Sequence, residues 1–317
     1  MTVLSEKATL KTIFTYFTVA LIILLNAYLL STQVAMFLSI LLLIPLSIWH
    51  RSYSKNEKLS KEIDGNDKNT VLSWIFTLFI LALSVRVPSV LLFGSPYEKT
   101  PLIYLLVLTI VIVEKIDISS FGFKTQNIGK ALLYGLTFYA ILGGVAMLIL
   151  YSFVYYFTNQ MPTQYYDASS FLFAMPFMTL CVGISEEGFF RGYVQTHLGK
   201  FYTVKKAILI QAMLFGVWHF VWNLFPFDPW GMIQYMTTTF IVGLVFGYFY
   251  NKAKNLAPLV FAHGLWNSIP QGIVTNEAAF TALQATPLSN QILTWFIPYT
   301  ISAALTFLFI KLFAREI

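Results

Sequence analysis

Runs of roughly 17–25 apolar residues, each interrupted by a short polar segment, recur from one end of this chain to the other. Ten can be drawn, at residues 13–30, 33–49, 71–87, 101–114, 130–156, 172–196, 207–225, 231–250, 256–274 and 290–311. Each has the length and apolarity of a membrane-crossing helix except the fourth, which is short and is expected to be tilted, partly buried or extended at either end. The pattern predicts an all-α fold, a polytopic integral membrane bundle of about 8–10 helices. The first run follows Lys7 and Lys11 but lacks a small-x-small cleavage site, so it reads as a retained span. One polar insert, HRSYSKNEKLSKEIDGNDKNT (50–70), mixes both signs of charge with little apolar surface and reads as a solvated cytoplasmic loop. No internal repeat is evident, which argues against a transporter built from inverted halves.

Composition strengthens this picture. Hydrophobic residues make up 57% of the 317 positions and charged residues 11%, with a mean hydropathy of +0.71, where soluble domains carry about 25% charged residues. Of the 20 Lys and Arg, 17 fall in alternate inter-helix segments or at the termini; Lys99 falls in an opposite loop, and Arg86 and Arg191 lie within spans. That asymmetry predicts that both termini face the cytoplasm. The turns TNQMPTQYYDAS, PFDP and TNEAAFTALQATPLSN hold no Lys or Arg, and Tyr and Trp gather beside them as an interfacial belt would. The net charge of +6 therefore implies a membrane and no nucleic-acid partner. The single cysteine, Cys181, excludes an intramolecular disulfide or a paired-cysteine metal site and reads as a packed small residue.

Charge within the apolar runs needs a separate explanation. In GISEEGFFRG (183–192), Glu186, Glu187 and Arg191 lie inside the sixth run. Facing lipid unpaired, the three would cost roughly 8–10 kcal/mol, so they are expected to face protein or a water-filled cavity. Glu187 and Arg191 are four apart, acid first, the favourable order for an ion pair; Glu186 lies about 100° around the helix and points elsewhere. The alternative is a helix that ends at residue 185 and leaves the charges in cytoplasm. Further along, LFGVWHFVWN places His219 in the seventh run, and FAHGLWN places His263 and Asn267 on one face of the ninth. Counted from the cytoplasmic ends, Glu187, His219 and His263 lie roughly 12–20 Å deep, at one level.

The motifs EEGFFR, FGVWH and HGLWN, in that order, resemble the Glu-Glu-x-x-x-Arg, Phe-x-x-x-His and His-x-x-x-Asn/Asp signatures of the CAAX protease and bacteriocin-processing (CPBP) family of intramembrane endopeptidases. The resemblance spans roughly residues 168–275. It divides the chain into 1–130, N-terminal helices with the polar loop 50–70, and 131–317, a catalytic helical core with its motifs within 183–267. It implies Glu186 as general base working with His219 on a water, Glu187 held by Arg191 as an anchor, and His263 with Asn267 as the oxyanion hole. It also implies a peptide or protein substrate, prenylated-CAAX-like or a bacteriocin or signalling peptide, met among membrane lipids, with no cofactor. Short loops lean towards a bacterial plasma membrane; the oligomeric state is not specified.

Other chemistries compete. His-Glu-x-x-His is missing, though a zinc ion held by Glu186, His219 and His263 remains an alternative. Ser185 lacks the following glycine of a nucleophile elbow and leaves both acids unexplained. Asp64, Asp67, Asp117, Asp167 and Asp228 all fall in predicted loops or at their edges, which removes an aspartyl mechanism. His50 and His197 sit at predicted boundaries and read as solvated; Asn223 lies one turn from His219 and reads as helix-packing glue. Arg86, close to Pro88 near the outer end of its span, reads as snorkelling to the interface. Small residues at Gly183, Gly188 and Gly192 fit close helix approach or substrate entry. A non-hydrolytic scaffold or bacteriocin self-immunity protein using the same cavity is the alternative from another class, and a transporter is a third.

Overall fold

The computed structural model describes residues 6–63 and 67–315. Asp64 lies outside them. Eleven helices are numbered here: α1 Glu6–Leu29, α2 Thr32–Asn56, α3 Lys68–Phe93, α4 Lys99–Val113, α5 Ile128–Thr158, α6 Ala168–Phe201, α7 Val204–Asn223, α8 Pro229–Ala253, α9 Ala257–Ser268, α10 Glu277–Gln284 and α11 Leu288–Phe313. Eight of them, all but α4, α9 and α10, are long and apolar enough to cross a membrane. Their outer faces carry exposed apolar side chains such as Phe14, Leu133 and Leu148, tolerable in lipid and costly in water. The chain is a multi-pass, all-α membrane bundle.

Helix starts follow side-chain chemistry. Asp67, Asp167 and Asp228 each accept backbone amides at the first turn of α3, α6 and α8, and Asp117 does so for a short turn at Ile118–Phe121. Every described aspartate is thus a cap, which explains why none is available for catalysis. Asp167 also accepts the hydroxyls of Ser169 and Ser170 at 2.6 Å, and these bonds, Ser169 first, bring its carboxyl from 3.8 to about 2.

Two of the ten expected spans are corrected. The run at 256–274 becomes the 12-residue α9, stopped at the Ile-Pro pair 269–270, and its tail forms β2, Ile273–Thr275. β2 pairs antiparallel with β1, Thr163–Tyr166, in the register Thr163↔Thr275, Tyr165↔Val274 and Tyr166↔Ile273. The run at 101–114 becomes α4, which is buried almost from end to end. It packs on α1, α2 and α6, so its first turn lies inside protein rather than at a surface. The polar insert is also shorter than expected, because α2 continues helically through Asn56.

The apolar core joins both halves of the chain. One cluster unites Tyr16, Phe79 and Leu105 with Phe189, Phe190 and Trp218; a second unites α5, α8, α9 and α11 around Phe138, Phe246 and Leu259. His197 is a further correction. It is buried against Phe121 and Tyr193, and its Nε2 lies 3.3 Å from Glu114, which also accepts the Tyr193 hydroxyl. His50 is half-buried and pairs with Ser54. Cys181 is fully buried in packing.

Candidate active site

α6 does not end at residue 185; it runs unbroken to Phe201 and includes π-helical turns at Met178–Gly183 and Glu187–Gln195. Such widened turns recur at functional sites because they re-aim side chains without ending the helix. Here they turn Glu186 and Glu187 towards different partners. Glu187 Oε1 accepts from Arg191 Nη1 at 3.1 Å and from His263 Nδ1 at 2.7 Å. Arg191 lies between the rings of Phe215 and Phe246, 4.1 and 5.0 Å from their centroids, so its desolvated charge meets two π faces as well as the carboxylate.

His263 reaches Glu187 because α6 and α9 approach at backbone distance. A Cβ on Gly183 would stand 2.7 Å from the Val260 carbonyl oxygen, and one on Gly264 would collide with the Thr179 side chain. Glycine at both positions admits the contact.

His219 is aimed by a helix break. The regular part of α7 ends at Val217, and the His219 amide bonds to the Gly216 carbonyl, which releases the Phe215 carbonyl from the helical ladder. That carbonyl lies 2.7 Å from His219 Nδ1. Nδ1–H is donated there in His219, and to Glu187 in His263, so a ring that is neutral at either position presents Nε2 as an acceptor. Both nitrogens face one atom: Glu186 Oε2 lies 3.4 Å from His263 Nε2 and 4.0 Å from His219 Nε2. Oε2 makes no hydrogen bond to protein. Glu186, Glu187, Arg191, His219 and His263 are all buried.

The other oxygen shows what sequence reading missed. Glu186 Oε1 accepts from Lys99 Nζ at 2.5 Å and from Trp218 Nε1 at 2.9 Å. Glu186 is thus paired at one oxygen, by contacts that the motifs do not reveal. Lys99 lies not in a loop outside the bundle but at the buried start of α4. Arg86 does not snorkel: it is 1% exposed, bonds Glu98 at 2.5 Å and the Trp218 carbonyl at 3.1 Å, and lies over the Trp218 ring. The available signal was the insertion cost of an arginine deep in an apolar run, which calls for a buried partner.

Two cavities meet at this centre. The larger, about 350 Å³, runs between α7, α8, α9 and α11 and is walled by aromatic side chains, with His219, His263 and Asn267 on one side. The smaller, about 240 Å³, reaches Glu186, Lys99 and Arg86. His219, Trp222, Tyr235 and Asn267 line both. Asn223 lines the larger cavity and leaves its Oδ1 unpartnered. Although Glu186, His219 and His263 converge, no group of three or more His, Cys, Asp or Glu among the described residues is placed to hold a metal ion.

Two buried acids and two oriented imidazoles thus converge beside the two cavities inside the bundle. Residues 168–269 match the family model described as type II CAAX prenyl endopeptidase Rce1-like. This Rce1-like segment is consistent with a CPBP family intramembrane endopeptidase and supports, in general terms, a membrane-embedded CAAX-type protease acting on peptides. It runs from the start of α6 to the end of α9 and holds all six motif residues, from Glu186 to Asn267. Arg86, Glu98 and Lys99 lie outside the Rce1-like segment. No curated protein and no solved structure gives a significant match to the chain.

Proposed function

We propose that this protein is an endopeptidase that cuts a peptide within the membrane by means of a water activated by Glu186 and His219. One observation carries the reading: the open oxygen of Glu186 faces the Nε2 atoms of two imidazoles, at 3.4 and 4.0 Å. Glu186 Oε2 and the Nε2 of a neutral His219 accept towards one point, which suits a proton-donating guest, and a water offers two protons. Glu186 Oε2 and His219 Nε2 would take a proton as the water oxygen attacks the scissile carbonyl, and return it to the leaving amine.

The oxyanion needs donors. Asn267 offers its amide from the wall shared by both cavities. His263 donates at Nε2 only as imidazolium, the form that Glu187 at Nδ1 stabilises, much as a buried acid orients a catalytic histidine. A peptide crossing between the cavities would pass its scissile bond in front of His219 and Asn267. The aromatic wall of the larger cavity suits an apolar or prenylated segment of a CAAX-like substrate, or of a bacteriocin or signalling peptide. The setting is a bacterial plasma membrane, with both termini in the cytoplasm.

The test is cleavage of prenylated C-terminal peptides and bacteriocin-type precursors by the purified chain in lipid vesicles. Activity is expected in the parent and lost in Glu186→Gln and His219→Ala, with both variants still in the membrane. Full cellular function in both variants would instead identify a scaffold.

A further inference from the structure

The basic and acidic groups of the N-terminal helices bear directly on this centre. Lys99 and Arg86 are each 1% exposed and Glu98 is 0% exposed, within an apolar bundle where an unpaired charge is costly. Glu98 Oε1 accepts from Arg86 at 2.5 Å and from Lys99 at 2.6 Å, and Arg86 Nη1 stands 4.0 Å from Glu186 Oε1. Two cations and two carboxylates therefore form a closed, neutral quartet. A single lysine would suffice to neutralise Glu186. The additional pair fixes where that lysine's ammonium sits: Glu98 holds it from behind, and Arg86 holds Glu98 while bracing the Trp218 carbonyl.

The consequence falls on one atom. Lys99 and Trp218 occupy Oε1 of Glu186, so the carboxylate cannot turn, and Oε2 is the oxygen left facing His219 and His263. Because α4 is buried from its first turn, no surface residue can replace this lysine.

We propose that Lys99, held by Glu98 and Arg86, is the positioning residue of Glu186, so that helices outside the Rce1-like segment supply an indispensable part of the hydrolytic site. This rests on the reading of Glu186 as the base. Lys99 also lines the smaller cavity, beside His219 and Asn267, so a small amine can enter the space that a truncated side chain leaves. That permits a readout which a purely structural ion pair would not move.

The full chain is assayed in lipid vesicles as parent, Glu186→Gln and Lys99→Ala, with and without ethylammonium. For Lys99→Ala, kcat is expected to fall about 100-fold, as misplacement of a reacting group by about 1 Å does, with KM within about threefold of the parent. Ethylammonium is expected to restore kcat in Lys99→Ala and not in Glu186→Gln. If Lys99→Ala does not fold, the double variant Glu98→Gln/Lys99→Met removes one charge of each sign and is expected to show the same selective loss of kcat. Lys99→Ala, or that double variant in its place, with kcat within about threefold of the parent overturns the proposal. So does a loss in Lys99→Ala that the amine leaves unchanged. An active Glu186→Gln, or a parent that cleaves no peptide offered, overturns instead the reading on which the proposal stands.

Discussion

His263 and Glu187, 76 positions apart, share a 2.7 Å hydrogen bond at the imidazole Nδ1. Glu187 also accepts from Arg191 one turn along its own helix. The acid therefore sets the ring's orientation and its tautomer together. Glu187→Gln keeps the size of the side chain and removes the charge that stabilises the imidazolium. A drop in kcat of about 10²–10⁴ with little change in KM is expected, by analogy with removal of the orienting acid from other catalytic histidines. Steady-state cleavage in vesicles measures it.

Asn267 stands on the wall common to both cavities and forms no part of the buried ion pairs. Asn267→Ala is expected to cost about 2.7–4 kcal/mol in the barrier, the usual loss for one oxyanion donor. Its thermal unfolding in detergent should match that of the parent, since no protein hydrogen bond is broken. Comparing kcat with the melting temperature decides the matter.

Metal removal gives an orthogonal check. No set of three or more ligands is placed for a metal among the described residues. Full activity is expected to survive dialysis against EDTA and 1,10-phenanthroline. Loss on chelation and recovery with zinc would return Glu186, His219 and His263 to the role of ligands.

Packing between α6 and α9 is a further target. In Gly183→Ala the new methyl group meets the Val260 carbonyl oxygen at 2.7 Å, a backbone atom with no rotamer to escape into. Overpacking of this kind costs about 1–3 kcal/mol. The displaced α9 carries His263, so activity is expected to fall further than stability. Unfolding in detergent and kcat, measured together, separate the two effects.

Stability against pH should report the cap of α6. Asp167 falls from 3.8 to about 2 in the folded chain through its bonds to Ser169 and Ser170. A lowered folded value means that the charged form favours folding, so this contribution is complete above 3.8 and is lost as pH falls towards about 2. The difference in melting temperature between the parent and Asp167→Ala is expected to stay constant from neutral pH down to about 5 and to shrink below about 4. A difference that grows on acidification would contradict this assignment.

The three motif helices and their convergence were legible in the sequence, because an intramembrane charge is costly and its partner can be sought by helical spacing. Glu187 with Arg191 is such a local pair. Lys99 with Glu186 is not: it spans 87 positions, and the segment SPYEKT that leads into α4 looks like any polar turn. Only the burial of α4 makes that turn interior. His197 was hidden for a related reason, since Phe121 and Tyr193 cover it from segments that sequence spacing does not link. The break that aims His219 was equally invisible, because FGVWH continues a helical period that the backbone abandons.

The short clasp of β1 and β2 has a consequence of its own. It joins the chain just before α6 to the chain just after α9, so the entry and exit of the stretch bearing all six motif residues are neighbours. A stretch whose two ends meet can be carried intact between different surroundings, like a cartridge. Between bundles, what must be built anew is the socket, here a buried helix that presents one lysine.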